Sequence, residues 1–348
     1  MQANPLLKGI PLLGYYSGIR KNDKAQVHET EFEFSPGNRT RTLLFYPPGK
    51  DPKNLPGIFL LHGMSALGID DVRIQNLAKN LALCGYSVAC PELSEVKSLL
   101  IREVTIEKSV NLFKHFYERE DLHKPGQVGY FSASFSGALG LIALSDPKVS
   151  DLVRSSMLVG SYNSFGESLV YAVDNFEIDN YAGLIVMLNF LGYLDKKLHN
   201  EVNESVYNLA LDNGLYRTGE NAIGPKLIEG LSKSARDFMK QMLNDKKFRM
   251  SLIDGIREVM PNSIKRDFSP YYKLAQFKSP LSLLHGYDDP VISYKESIKI
   301  HACLRNRMHP VYLEVSNVIT HGDQLPLHTQ IAGVPGVTRC FGYFFSWF

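Results

Sequence analysis

The chain has 348 residues, 44% of them hydrophobic and 21% charged, enough to bury the core of one large domain or of one domain carrying a sizeable insertion. Its 38 basic and 36 acidic side chains leave a formal charge of +2, which excludes the basic face expected of a nucleic-acid or polyanion binder. Cys84, Cys90, Cys303 and Cys340 form no CxxC pair and no zinc-ligand spacing, so they read as free, mostly buried thiols of a reducing compartment.

Residues 1–26 read as an N-terminal extension. "MQANPLLKGIPLLGYYSGIRK" is apolar but lacks the basic start of a secretory signal, and Pro5, Lys8 and Pro11 interrupt it. Its leucines and the closing "FGYFFSWF" are expected in the core, with a membrane surface or a second subunit as the alternative. From residue 27 the pattern is that of alternating strands and helices. "VHETEFEF" and "RTRTLLFYPP" flank "SPGN" as a hairpin. "GIFLLHG" is a continuous apolar run, as for a strand buried on both faces. "VRIQNLAKNLALCG" has helical spacing and stops at Gly85, and "YSVAC" resumes strand character up to Pro91. A helix is predicted over about 106–117, then a strand at "QVGYF", a small-residue helix at "FSGALGLIAL" and a strand at "RSSMLVGSY". This alternation predicts an α/β fold with a mostly parallel central sheet flanked by helices, residues 27–162 forming its first part.

The rhythm breaks near Asn163. Residues 163–266 read as helix after helix, and the longest apolar stretch within them, 181–194, is too short to span a bilayer and contains Asn189. A soluble cytoplasmic protein without a transmembrane segment is therefore expected. The sheet pattern resumes over 267–348, with "SPLSLLHG" as strand, "YKESIKIHACLRN" as helix and "VYLEV" as strand. A helical block inserted there is expected to be a cap over the carboxyl end of the sheet, where ligands bind; an insertion that only adds stability or a dimer contact is the alternative.

"GQVGYFSASFSGALGL" places Ser132, Ser134 and Ser136 at alternate positions after an apolar run. A nucleophile on a sharp strand-to-helix turn needs little bulk two residues before and two after it. Ser132 has Tyr130 before it, and Ser136 lies too far beyond the apolar run. Ser134 has Ser132 before, Ser136 after and Gly137 next, which makes it the candidate. Serine-rich turns are also common for satisfying backbone groups.

At these residues the chain resembles the α/β-hydrolase family, serine esterase- or lipase-like with a helical cap, although Ser132 and Ser136 stand where the family's G-x-S-x-G elbow carries glycines. The resemblance covers most of the chain. "FLLHGMS" is similar to the family's strand followed by His-Gly, which implies that His62 and Gly63 shape a loop beside the nucleophile. It also implies that the backbone N–H groups of Met64 and Phe135 form an oxyanion hole. "SPLSLLHGYDDPVIS" is similar to the acid loop and implies Asp289 as the acid, with Asp288 as the neighbour facing solvent or capping the turn. "VYLEVSNVITHGD" implies His321 as the base. His301 falls in a predicted helix, His309 precedes a strand, and His328 is the one rival. The order Ser134, Asp289, His321 is that of this fold.

The resemblance implies acyl transfer from a carboxylic ester or thioester to Ser134 and then to water, with no metal or organic cofactor. The implied partner is a small-molecule ester, partly apolar to suit the aromatic and aliphatic residues of 163–266; a homo-oligomer is left open. An acyltransferase of the same fold and a catalytically silent hydrolase-like binding protein are the alternative readings.

Overall fold

The computed structural model describes residues 5–16, 19–321 and 333–348. In chain order, α1 (Pro5–Tyr16) precedes the hairpin β1 (Gln26–Ser35) and β2 (Asn38–Tyr46). Then come β3 (Gly57–Leu61), α2 (Val72–Leu83), β4 (Ser87–Pro91), the short α3 (Ser94–Lys97) and α4 (Val104–Glu118). After β5 (Val128–Ala133), α5 (Phe135–Ala143) and β6 (Ser156–Val159) the chain leaves the sheet. It passes through α6 (Phe165–Asp174), α7 (Asn180–Phe190), α8 (Lys196–Gly214), α9 (Gly224–Glu229), α10 (Lys233–Asn244), α11 (Lys246–Val259) and α12 (Asn262–Asp267). It returns as β7 (Leu281–Gly286), α13 (Tyr294–Arg305), β8 (Val311–Ser316) and α14 (Val334–Phe345).

The eight strands form one sheet in the order β1-β2-β4-β3-β5-β6-β7-β8. The β1–β2 and β2–β4 pairs are antiparallel and the rest parallel. Alternation along the strands sends successive side chains to opposite faces. Thus Phe59, Leu61 and Tyr130 join α4, α5 and α13 in one core, while Ile58, Leu60 and Phe131 join α2 and α14 in the other. With both faces covered, the central strands are buried along most of their length, and β3 reads as an uninterrupted apolar run. The outer strand β1 is instead largely exposed and charged, with Glu29 paired to Arg41 at 2.9 Å, which protects the sheet edge from further pairing.

One end of the chain and one short internal helix differ from what the sequence pattern offers. Residues 5–16 were expected only as an extension, yet they form a helix despite Pro11 and pack along α14. The contact is backbone to backbone: a Cβ at Gly342 would run into the main chain of Pro5, and one at Gly9 into that of Thr338. Leu12, Phe341, Phe344 and Phe345 are buried there, while Leu7 and Ile10 face outward. The short α3 is likewise a helix that no periodicity announces.

The helical insertion between β6 and β7 begins and ends at one seam. The buried Glu296 of α13 accepts hydrogen bonds from the Asn163 and Ser164 amides (3.0 and 2.8 Å), and Ser269 Oγ accepts one from the Phe165 amide (3.0 Å). Its helices start where local chemistry directs: Asp179, Asp195, Ser232 and Asp245 each cap a helix by accepting from a first-turn amide. The apolar stretch expected at 181–194 is α7, buried nearly all round, followed by a short turn that ends in the exposed Tyr193 and Leu194. Asn189 is its polar exception, accepting from the Ile101 amide at 2.8 Å and donating to the Leu99 carbonyl at 2.9 Å. Among the described residues no helix is long and apolar enough to cross a membrane.

Candidate active site

Strand β5 runs straight into α5, and Ser134 is the single residue between them. Its φ is +58° and its ψ −135°, a conformation that a side-chain-bearing residue adopts only under constraint. Backbone bonds impose it: the Ser134 amide donates to Val159 O (2.7 Å), and Ser134 O accepts from the Gly137 amide (2.8 Å). Room is tight at Gly137 and ordinary at Gly63. A Cβ on Gly137 would lie 3.1 Å from Ser161 Cβ, and a Cβ on Gly63 3.5 Å from Ser134 Cβ.

The three serines are separated by this turn. Ser132 and Ser136 are fully buried, and Ser136 Oγ donates to the His62 carbonyl at 2.6 Å. Ser134 alone of the three lines the cavity, where its Oγ lies 2.7 Å from His321 Nε2. His321 Nδ1 lies 2.8 Å from Asp289 Oδ2. A carboxylate only accepts, so Nδ1 carries the proton and Nε2 presents its lone pair to the serine hydroxyl.

Asp289 is 2% exposed and leaves no oxygen idle. Oδ1 accepts from the Val291 and Ile292 amides at 2.8 and 2.9 Å, and the buried His285 brings Nε2 to 3.4 Å from Oδ2. Burial pushes the Asp289 carboxyl up, but His321 and His285 outweigh it and hold the group well below the ordinary carboxylate range. For His321, burial favours the neutral ring while the Asp289 charge and hydrogen bond favour the cation; the carboxylate wins, and its pKa lies above the ordinary histidine value. Gly160, at φ +62°, passes behind this pair, and a Cβ there would stand 3.5 Å from Asp289 Oδ2.

His62 is buried, with Nδ1 2.8 Å from the Gly63 carbonyl and Nε2 accepting from the Leu93 amide at 3.0 Å. Burial lowers its pKa, so it stays neutral, with the proton on Nδ1. The Gly63 carbonyl and the Met64 N–H belong to one planar trans peptide and point in opposite directions. Holding the carbonyl therefore aims the N–H. Phe135 is the first residue of α5, where the amide has no partner within the helix. Neither amide is taken up by a hydrogen bond among the described residues.

Other sequence candidates fall away from this centre. Asp288 is exposed, His301 sits on α13, and His309 Nε2 bonds the Ser279 carbonyl at 2.8 Å. His328 lies outside the described residues. Nothing in the sequence pattern singles out His285, Gly160, or two tyrosines of the insertion. Tyr171 donates to the Asp289 carbonyl at 2.9 Å and Tyr181 to the Met64 carbonyl at 3.3 Å.

Ser134, Asp289 and His321 open on a cavity of about 770 Å³. Phe165 and Leu169 of α6 and Ile185 and Val186 of α7 give part of its wall an apolar character; Asp71, Arg73 and Asn80 line it from α2 and the turn before it.

No protein-family model matches the chain, and no curated protein matches it. Solved structures do. Brefeldin A esterase, a bacterial homologue of human hormone-sensitive lipase, is 14% identical with a TM-score of 0.52, over 98% of this chain and 87% of its own. Esterase Est22 is 14% identical with a TM-score of 0.52, over 98% and 84%. The acylaminoacyl peptidase of Pyrococcus horikoshii is 16% identical with a TM-score of 0.53; the match takes in 95% of this chain but only 42% of the peptidase. At such identities the likeness is one of fold: these are α/β-hydrolase-fold proteins, and this chain has that fold.

Proposed function

We propose, on the premise of the α/β-hydrolase fold, that this chain is a serine hydrolase cleaving a carboxylic ester or thioester through an acyl-enzyme on Ser134. One observation carries the reading: at a strained strand-to-helix turn facing a cavity, an unbroken file of hydrogen bonds runs from Ser134 Oγ through His321 to Asp289. Fold alone supplies no chemistry; this geometry supplies a nucleophile, a base within reach and an acid that orients it.

His321 Nε2 takes the Ser134 proton as Oγ bonds to the acyl carbon. The carbonyl π pair moves onto oxygen, where the Met64 and Phe135 amides receive the developing charge; losing one such donor typically costs about 3 kcal/mol of barrier. The pair returns, the bond to the alcohol or thiol breaks, and His321 hands the proton to that leaving group. Water then attacks the acyl-serine, giving its proton to the same nitrogen, and the acid departs as Ser134 recovers its hydrogen. Asp289 keeps the imidazole in the required tautomer and offsets its positive charge throughout. The insertion acts as a cap whose apolar wall favours a partly apolar acyl or alcohol group.

Serine at the elbow distinguishes this chemistry from that of an aspartate nucleophile. An acyltransferase shares every step up to the acyl-enzyme, and a peptidase shares the whole sequence with an amine leaving group. Matched p-nitrophenyl esters and p-nitroanilides, with and without added acceptor alcohols, separate the three. The direct test is a fluorophosphonate adduct mapped by mass spectrometry. It should fall on Ser134 alone and vanish, together with ester turnover, in Ser134→Ala. Undiminished turnover in that variant, or an adduct on Ser136, refutes the assignment.

A further inference from the structure

The helical insertion does more than cover the cavity. We propose that it is a positioning element for the reaction, acting through Tyr181 on the oxyanion loop and through Tyr171 on the acid loop. This rests on the Ser134 hydrolase reading above.

The oxyanion loop shows where support is needed. Of three successive carbonyls, that of Gly63 is held by His62 Nδ1 and that of Ser65 by the Gly68 amide at 2.9 Å. The Ser65 hydroxyl also donates to Asp71 at 2.9 Å. The carbonyl between them, Met64 O, is held by the Tyr181 hydroxyl, which arrives from α7. The Ala66 amide bears on the same phenolic oxygen. The Met64 N–H lies on one peptide plane and its carbonyl on the next, both hinged at one Cα. Fixing the first plane through His62 and the second through Tyr181 sets φ and ψ of Met64 together, and so the direction of the N–H. With the Tyr181 bond gone, the second plane turns about the Met64 torsions and the first, held only at its carbonyl, is less firmly braced.

Tyr181 is itself kept in place. Asp179 caps α7 by accepting from the Tyr181 amide at 2.9 Å. The end of α8 backs the ring: a Cβ on Gly214 would come within 3.0 Å of Tyr181 Cε2. Asn213 donates to Asn180 across the same junction at 2.6 Å. On the other side of the cavity, Tyr171 of α6 donates to the Asp289 main-chain carbonyl at 2.9 Å, just where the loop turns to present the carboxylate to His321. Two consecutive helices of the insertion thus each place one hydroxyl on the backbone of one catalytic loop, and neither hydroxyl bonds Ser134 or His321.

The experiment is Tyr181→Phe, Tyr171→Phe and the double variant, with Tyr193→Phe, a part-exposed tyrosine of the same insertion, as the control. Phenylalanine keeps each ring and its packing, and near-ultraviolet circular dichroism verifies the fold. Tyr181→Phe should lower kcat by about tenfold, less than the hundred- to thousandfold of a lost oxyanion donor, because the donor is loosened and not removed. KM should stay within about twofold, and the affinity for a trifluoromethyl ketone, whose adduct places an oxyanion in the hole, should fall by the same factor as kcat. The pH midpoint should not move. Tyr171→Phe should also lower kcat, but with the midpoint of the pH profile displaced downward, since Asp289 then supports the imidazolium less well. If wild type and both variants share kcat and inhibitor affinity within twofold, or if the loss lies in KM alone, the inference is wrong. If wild type itself hydrolyses no ester or thioester and takes no fluorophosphonate, it is the hydrolase reading that fails.

Discussion

Replacing Asp289 by asparagine tests the site at one atom. Asp289 uses Oδ1 to accept from the Val291 and Ile292 amides and Oδ2 to accept from His321 Nδ1. Asparagine can keep the first pair with its carbonyl oxygen, so the loop retains its shape. Its –NH₂ must then face His321, where a donor meets a donor. The imidazole escapes by moving its proton to Nε2, which leaves Ser134 Oγ without an acceptor 2.7 Å away. The loss combines a wrong tautomer with a missing countercharge, and on a serine–histidine–aspartate centre it amounts to about 10⁴ in kcat, or ~5 kcal/mol of barrier. The assay is steady-state hydrolysis of p-nitrophenyl acetate across pH, with folding followed by thermal melting. A variant retaining more than about a tenth of wild-type kcat would show that Asp289 does not orient the base, and the proposed mechanism would fall with it.

For the pH dependence of the wild type, His321 must be neutral to accept a proton, and its pKa lies above the ordinary 6.5. Ester turnover should therefore rise with pH through a midpoint above that value and be lost below it; a midpoint on the acid side of 6.5 in the free enzyme contradicts the pairing with Asp289. Ser134→Gly should abolish turnover yet raise the melting temperature, because glycine relieves the φ of +58°, a strain of about 1 kcal/mol or more; an unchanged melting temperature would remove strain from the account of the turn. Ser136→Ala should lower stability by about 1 kcal/mol through the lost bond to the His62 carbonyl, while the fluorophosphonate adduct stays on Ser134.

The parts of this molecule that could be read from the sequence are those whose cause is local. A continuous apolar run marks β3 because both its faces are covered, mainly apolar runs mark β5 and β7, and helical spacing with a glycine stop marks α2. Ser134 stands out by the smallness of its neighbours, whereas Asp289 and His321 follow strand ends and are singled out only by the resemblance to the α/β-hydrolase pattern. What stayed hidden depends on partners distant in the chain. Tyr181 and Met64 are 117 positions apart, and a hydroxyl that meets a main-chain carbonyl demands no particular residue at the other end. His285 reads as the last strand residue but one, and only the return of the loop brings it against Asp289. The helicity of α1 is masked by Pro5 and Pro11, which argue against a helix until α14 supplies the surface on which it forms.

That last pairing also orders events in time. Helix α1 leaves the ribosome long before α14, which supplies most of the surface it packs on. At about 5 to 20 residues per second the wait is roughly 20 to 70 seconds. Through that interval α1 has only its smaller contact with α2, and its docking on α14 is among the most distant encounters the polypeptide must complete. The seam of Gly9 against Thr338 and Gly342 against Pro5 has no room for a side chain at either glycine. Removing α1 would leave the phenylalanine strip of α14 bare, with clumping during synthesis as the expected result.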